Sequence, residues 1–232
     1  MGTASSTKSC RIRASKLGLK GGHTTFDGAS NPAGPPGARA ATLRALCRHC
    51  DVEERLALVP PSAKVRGVYF GGIDRALIKA GCHEPFKALF PHRRAGVLWH
   101  PASDFLVRLA AGGALLAGPE RVHEGMFQIG RGNAVTFAES LVGRVLIRVL
   151  DRDPRRLLKQ GIAGRRQGFS YGRWELEFPS EREAVVTMSE EYAYIESYHL
   201  GAAQGTFEAV GASVRAEAVL RDRFNGKHLL RW

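Results

Sequence analysis

Phe169-Ser170-Tyr171-Gly172-Arg173-Trp174-Glu175-Leu176-Glu177-Phe178 is the stretch that decides the fold. From Arg173 onward charged and apolar residues alternate. Trp174, Leu176 and Phe178 fall on one side, and Arg173, Glu175 and Glu177 on the other. A period of two belongs to a strand with one face buried and one face wet. Pro179-Ser180-Glu181-Arg182-Glu183 reads as a turn and Ala184–Ser189 as the returning strand, so a hairpin is predicted. Beyond it, 192–210 reads as a helix. Glu190, Glu191 and Glu196 cluster at its start, where carboxylates favour the helix dipole. Gly201, Ala202, Ala203 and Gly205 are small enough to let it lie close on a sheet. A third strand carries Val214, Ala216, Ala218 and Leu220 inward, Asn225-Gly226 gives a tight-turn signal, and Lys227–Trp232 is the fourth strand.

Upstream of this switch the spacing is helical. Pro60-Pro61 stops two short amphipathic pieces, Ala41–Leu46 and Val52–Leu58, and Ser62 reads as an N-cap. Val65, Val68, Tyr69, Ile73, Leu77 and Ile78 then follow at helical spacing up to Gly81. His83–Phe90 reads as a short helix. Trp99-His100-Pro101 opens the next, with Phe105, Leu106, Leu109 and Leu116 as its stripe. A long helix carries Val122, Met126, Ile129, Asn133 and Phe137. Leu141–Leu150 is apolar on nearly all sides and reads as a buried helix, and Asp153-Pro154 begins one more. The expected class is therefore α+β: an N-terminal helical half followed by a four-stranded antiparallel sheet (ββαββ) covered by a helix.

Composition sets the outer bounds. Hydrophobic residues make up 44 % of 232, enough for a sizeable core. No apolar run reaches the roughly 18 residues of a membrane span, and 1–20 lacks the apolar centre of a signal peptide. Residues 1–40 are basic and rich in Gly, Pro and Ser, without hydrophobic period, and are expected to be a disordered tail; 41–232 is expected to be a single domain. Cys10, Cys47, Cys50 and Cys82 read as thiols of a reducing compartment, so a cytoplasmic location is expected. The net charge of +12 is spread, with +5 in 1–40 and +7 in the rest. It attracts acidic partners in general without specifying nucleic acid.

Few residues offer chemistry. Cys47, Cys50, Cys82 and His83 have spacings that a tetrahedral zinc could use, but thiols in a helical connector are the preferred reading, and no metal or cofactor is expected. Gly130-Arg131-Gly132 lies inside a helical period with no strand before it, which favours a helix crossing over a phosphate loop. No Ser, His and Asp can be combined by spacing into a nucleophilic site, so an enzyme ranks low. Tyrosine and tryptophan density across the sheet and its covering helix suggests a ligand pocket lined by Trp99, Asn133, Tyr171, Trp174, Tyr194 and Tyr198, or simply the rim of a core. Arg152, Arg155, Arg156, Lys159, Arg165, Arg166 and Arg173 form a basic stretch, read as a solvated face or a patch for an acidic partner.

Several short motifs carry a resemblance. Pro60-Pro61-Ser62-Ala63 running into Arg66-Gly67-Val68-Tyr69-Phe70, then Trp99-His100-Pro101, Asp153-Pro154-Arg155-Arg156-Leu157-Leu158, Ser170-Tyr171-Gly172 and Arg231-Trp232 resemble a myxobacterial paralogous family of unknown function. That family is distantly similar to the 4-vinyl-reductase and haem-nitric-oxide-binding-like group, whose members are mostly small-ligand sensors and interaction modules. The haem branch carries an axial His on a helix and a Tyr-x-Ser-x-Arg signature. Here Gly168 stands where that Tyr would be, and His123 lies far upstream, so the haem site is not matched. The resemblance implies a regulatory or sensory module that binds a small apolar or amphipathic ligand between helices and sheet. The alternative is an interaction or scaffold module that self-associates or takes an acidic protein partner; nucleic-acid binding comes third.

Overall fold

The structure is a computed structural model that describes residues 36–94, 96–139, 141–150 and 153–232. The expected tail falls outside these residues apart from 36–40, which already belong to the first helix, α1 (Pro36–Cys47). The helical half continues through α2 (Val52–Leu58), strand β1 (Lys64–Arg66), α3 (Gly67–Lys79), α4 (His83–Leu89), strand β2 (Trp99–Pro101) and α5 (Ala102–Ala117). A 3-10 turn leads into α6 (Val122–Glu139), followed by α7 (Leu141–Val149) and α8 (Pro154–Gly168). The sheet half holds β3 (Arg173–Ser180), β4 (Glu183–Ser189), a π turn (Ile195–His199), α9 (Leu200–Glu208), β5 (Arg215–Asp222) and β6 (Asn225–Arg231). The protein is thus α+β, as its sequence predicts.

The four-stranded sheet is antiparallel in the order β3-β4-β6-β5, so the last strand lies in the interior of the sheet, between β4 and β5. Its alternation works as a strand period should. Ala184, Val186 and Met188 of β4 and Leu230 of β6 are buried on one face, where Leu158 of α8, Ile195 of the π turn and Phe207 of α9 cover them. Glu175, Glu177 and Glu217 face outward into water. A second, larger core fills the helical half around Ile73, Leu77, Phe105, Leu106, Leu109, Met126 and Ile129. α6 is its central rod, packed between α5 and α9.

Two of the expected helix starts are strands. Ser62 caps no helix, and Trp99-His100-Pro101 does not begin one. Lys64–Arg66 pairs antiparallel with Trp99–Pro101, burying Val65 completely. The small sheet is pinned to the second half: Val65 bridges to Phe169, and the Lys64 N–H donates to the Ser170 hydroxyl at 2.8 Å. Three-residue strands are too short for a period of two to register in the sequence. α8 does begin at Asp153-Pro154, with the Asp153 carboxylate accepting from the Arg155 N–H at 2.8 Å and Pro154 where no amide hydrogen is needed.

Other expectations are corrected. α7 is not a buried helix: Val145 is 57 % and Val149 69 % exposed, and the exposed Arg144 and Arg148 share its outer side. The β5–β6 turn is Arg223-Phe224, because Asp222 accepts from the Phe224 N–H and from the Asn225 side chain, which makes Asn225 the first residue of β6. Leu220 is 42 % exposed rather than inward. The first hairpin turns at Glu181-Arg182, after a strand that runs on to Ser180. The helix read over 192–210 starts later, after an extended segment, and opens with the π turn in which the His199 N–H reaches back to the Tyr194 carbonyl at 3.0 Å. Of its small residues Gly201, Ala202 and Gly205 meet α6, while Ala203 packs on the sheet core. A side chain added at Gly201 would lie 2.1 Å from the Phe127 carbonyl oxygen.

Candidate functional site

The two halves meet along a seam that contains two buried arginines. Arg55 of α2 is 2 % exposed. Its Nε donates to Asp51 Oδ1 at 2.9 Å, one turn back, and its NH1 donates to the carbonyls of Arg223 at 3.1 Å and Tyr192 at 3.3 Å across the seam. NH2 reaches Glu196 Oε1 at 3.5 Å, and the guanidinium lies 4.1 Å from the Tyr194 ring centroid. A helix of the first half is thereby fastened to the π turn and hairpin of the second. Guanidinium suits this place because one rigid fork serves several acceptors and stacks on rings.

The second cation is Arg165, near the end of α8. Its NH1 donates to the Tyr171 carbonyl at 2.7 Å and its NH2 to Glu191 Oε2. Glu191 is fully buried. It also accepts from Trp174 Nε1 at 2.8 Å and from the Ala193 N–H at 3.1 Å, and His199 Nε2 stands 3.1 Å from its other oxygen. Burial pushes this carboxyl up, but His199 and Arg165 more than offset it and hold it down to about 2. Glu191 is therefore an ion of the interior, not the dipole-stabilised surface residue expected from its sequence position. Arg165 likewise leaves the basic stretch for the core. Of that stretch, Arg156, Lys159, Arg166 and Arg173 are exposed, Arg155 lies half-buried over the Phe178 ring, and Arg152 lies outside the described residues.

The six residues read as a pocket lining occupy four places. Asn133 of α6 donates to the Tyr198 hydroxyl at 3.3 Å, inside the helical core. Tyr171 and Trp174 flank Arg165 and Glu191. Tyr194 lies under Arg55. Trp99 stands apart on β2, 37 % exposed, with Arg66 stacked 4.3 Å from its ring centroid. Burial pushes the Tyr171, Tyr194 and Tyr198 hydroxyls up, so all three stay protonated donors.

What opens at the seam is a groove of about 510 Å³. Cys50, Asp51, Glu54 and Arg55 line it from the α1–α2 region, His123 from the start of α6, and Glu196, Leu220 and Arg223 from the sheet half. Its charges are largely matched: Arg223 Nε lies 2.8 Å from Asp51 Oδ2 and its NH2 meets Glu54. At the floor, His123 Nδ1 stands 3.4 Å from Glu196 Oε1 without forming a hydrogen bond, and Glu196 Oε2 is buried without a partner. Reading the sequence missed this groove. Its walls come from four segments, and the one local signal was the Asp51–Arg55 spacing of an i, i+4 pair.

The zinc-type spacing does not converge. Cys47 and Cys50 face each other across one turn, while Cys82 caps α4 with its thiol toward the Ala80 carbonyl, and His83 pairs with Asp74 at 3.9 Å. Among the described residues no three His, Cys, Asp or Glu side chains could hold a metal ion. Gly130-Arg131-Gly132 lies within α6 at a helix crossing, with its amides engaged in the helix. No helix among the described residues is long and apolar enough to cross a membrane.

Comparison with solved structures places the fold. The chain is similar to a crystal structure of an Fe(II) unliganded H-NOX protein from K. algicida, at 12 % identity and a TM-score of 0.53, and to an alanine-to-glycine mutant of it, at 13 % and 0.57. Each likeness covers 72 % of this chain and 95 % of the other. No curated protein matches. The haem that the wider resemblance implies does not fit the seam. Phe105, Phe169, Tyr171 and Tyr198 fill it edge to face, with centroids of neighbouring rings 5.6 to 6.2 Å apart. Of the nearby imidazoles, His199 is directed to Glu191, His228 Nε2 to the Ile195 carbonyl at 2.8 Å, and His123 Nδ1 stands 3.4 Å from Glu196. The family model described as "Protein of unknown function (DUF2378)" matches residues 58–232, three quarters of the sequence, beginning at the last residue of α2. The chain belongs to the DUF2378 family.

Proposed function

We propose that this protein is a ligand-responsive regulatory module whose site is the groove at the seam, and that its ligand is a small polar or amphipathic molecule carrying a hydrogen-bond donor. The observation that carries this reading is the pair of buried atoms at the groove floor, His123 Nδ1 and Glu196 Oε2, which no protein group hydrogen-bonds. Buried polar atoms are rarely left so, because the lost solvation costs about 1–3 kcal/mol each. A groove of about 510 Å³ has the size of a small-molecule site. Its walls belong to both halves, so occupancy would stabilise their association. The π turn that presents Glu196 is a local irregularity of the sort often kept for function. The likeness to H-NOX proteins supports the fold alone, and the filled interior argues for a ligand other than haem.

The test is a thermal-shift screen of polar metabolites on the purified chain, with native mass spectrometry for molecules that copurify. A ligand that raises the melting temperature of the wild type, and does so at least tenfold less tightly in Glu196→Gln, supports the reading. A ligand that shifts both proteins equally binds elsewhere. A second reading rests on a different observation: Phe137, Val145 and Val149 are more than half exposed along α6 and α7. These exposed apolar side chains favour self-association, and a sedimentation mass independent of concentration would count against it.

A further inference from the structure

We propose that Cys47 and Cys50 are a reversible dithiol–disulfide pair, a redox-responsive modification site at the rim of the seam groove. The inference stands apart from the identity, or the existence, of a groove ligand. It starts from local geometry. Cys47 is the last residue of α1, and the Cys50 N–H donates to the Cys47 carbonyl at 3.1 Å, closing a single turn. Such a turn brings the first and fourth Cα atoms within about 7 Å, the range a disulfide spans. The Cys50 thiol donates to the same carbonyl at 3.2 Å, so its sulfur is folded back onto Cys47.

The two thiols have unequal surroundings. Cys47 is buried, 7 % exposed, and its contact with Cys50 together with burial pushes it well above the usual thiol range. Cys50 lines the groove that opens to solvent. The Cys47 thiol, the Val52 N–H and the Tyr194 hydroxyl favour its anion against the opposing effect of burial, and bring it down to about 7. The Tyr194 hydroxyl beside it is buried and has no hydrogen-bond partner among the described residues. A half-buried attacking thiolate that lines a groove, beside a buried resolving thiol, is an arrangement that thiol–disulfide exchange can use.

The oxidant is a low-molecular-weight disulfide. The Cys50 thiolate attacks one of its sulfurs, forming a mixed disulfide and expelling one thiolate. Cys47 then loses its proton and attacks the Cys50 sulfur, and the second thiolate leaves. The two thiol protons end on the two released thiolates, so one disulfide is reduced to two thiols while the Cys47–Cys50 bond forms. Oxidation removes the Cys50 anion that Tyr194 faces, directly beside Asp51 and Arg55.

The experiment equilibrates the full chain with glutathione and glutathione disulfide at graded ratios, quenches with acid, and maps thiols by peptide mass spectrometry. The expected result is an internal Cys47–Cys50 bond, seen as the loss of two hydrogens from their shared peptide and reversed by reductant. Cys47→Ser should trap glutathione on Cys50, and Cys50→Ser should leave residue 47 unmodified. Alkylation of Cys50 at pH 7 should run about tenfold faster than that of an ordinary free thiol, and Tyr194→Phe should move its pH profile upward. A wild-type chain that stops at a mixed disulfide, pairs either cysteine with Cys10 or with a second chain, or shows no preference for Cys50 overturns the proposal.

Discussion

The backbone of Gly130 in α6 lies against the carbonyl of Tyr198 in the π turn, so closely that a Cβ at position 130 would sit 2.0 Å from that oxygen. Two residues further on, Gly132 has nothing within 4 Å of where its Cβ would be. The pair gives opposite expectations from one chemical change. Gly130→Ala must push two backbones apart and should cost about 3 kcal/mol, the upper part of the range for overpacking. Gly132→Ala relieves the flexibility of glycine within a helix and should add about 0.5–1 kcal/mol. Urea unfolding of both variants checks this; equal effects would mean that α6 and the π turn are not in contact at Gly130.

Glu191 and Arg165 form a buried ion pair whose members have few other ways to be satisfied. Glu191→Gln leaves the Arg165 guanidinium in the interior without a counter-charge and should destabilise by about 3–5 kcal/mol. Arg165→Met should be comparably harmful, since the Glu191 charge is then stranded beside one imidazole. The double variant Arg165→Met with Glu191→Gln should recover a measurable part of either loss. Additive losses in the double-mutant cycle would show that the two side chains do not interact.

The contrast between these sites marks how much was legible beforehand. The strands of the large sheet could be read because Trp174, Leu176 and Phe178 alternate with charges, and a period of two survives without any knowledge of partners. The helix start at Asp153-Pro154 could be read because capping is local. β1 and β2 could not, because three residues carry no period and their pairing joins positions far apart in sequence. The fate of a charge was equally hidden. Arg165 and Arg166 are neighbours of the same type, yet one is interior and the other exposed, since only the first reaches Glu191 and the Tyr171 carbonyl. Arg55, His123, Glu196 and Arg223 lie on four separate segments, and no spacing rule brings them to one groove.

Arg55 ties the halves together through backbone acceptors as well as carboxylates, and this separates it from a surface ion pair. Arg55→Lys keeps the charge but cannot serve the Tyr192 and Arg223 carbonyls and Glu196 from one planar fork. It should cost about 2 kcal/mol and raise amide exchange in α2 and around the β5–β6 turn before the sheet core responds. Arg223→Ala removes pairs that are partly open to solvent and should cost about 1 kcal/mol. If the lysine variant is as stable as the wild type, Arg55 acts only as a charge.

The acid response of the fold should begin at His228. Its imidazole is buried on the inner face of β6, where burial, as the largest cause, holds it down to about 4 against the Ile195 carbonyl contact and the neighbouring Glu191, with His199 adding to the fall. An unfolded chain protonates this ring near pH 6.5. Between 6.5 and 4 the unfolded state therefore binds more protons than the folded one, and stability falls as the pH is lowered. The loss should approach about 3 kcal/mol near pH 4 and then level off for this group. Glu191, held at about 2, acts in a lower window: its contribution is intact above the ordinary carboxylate value and is lost as pH falls from about 4.5 toward 2. His228→Gln keeps a neutral donor for Ile195 and removes the titration. It should flatten the upper window and leave the lower one in place. Urea unfolding in steps from pH 7 to pH 3 reads both, and an unchanged slope between pH 6.5 and 4.5 in the variant would assign the acid sensitivity to other groups.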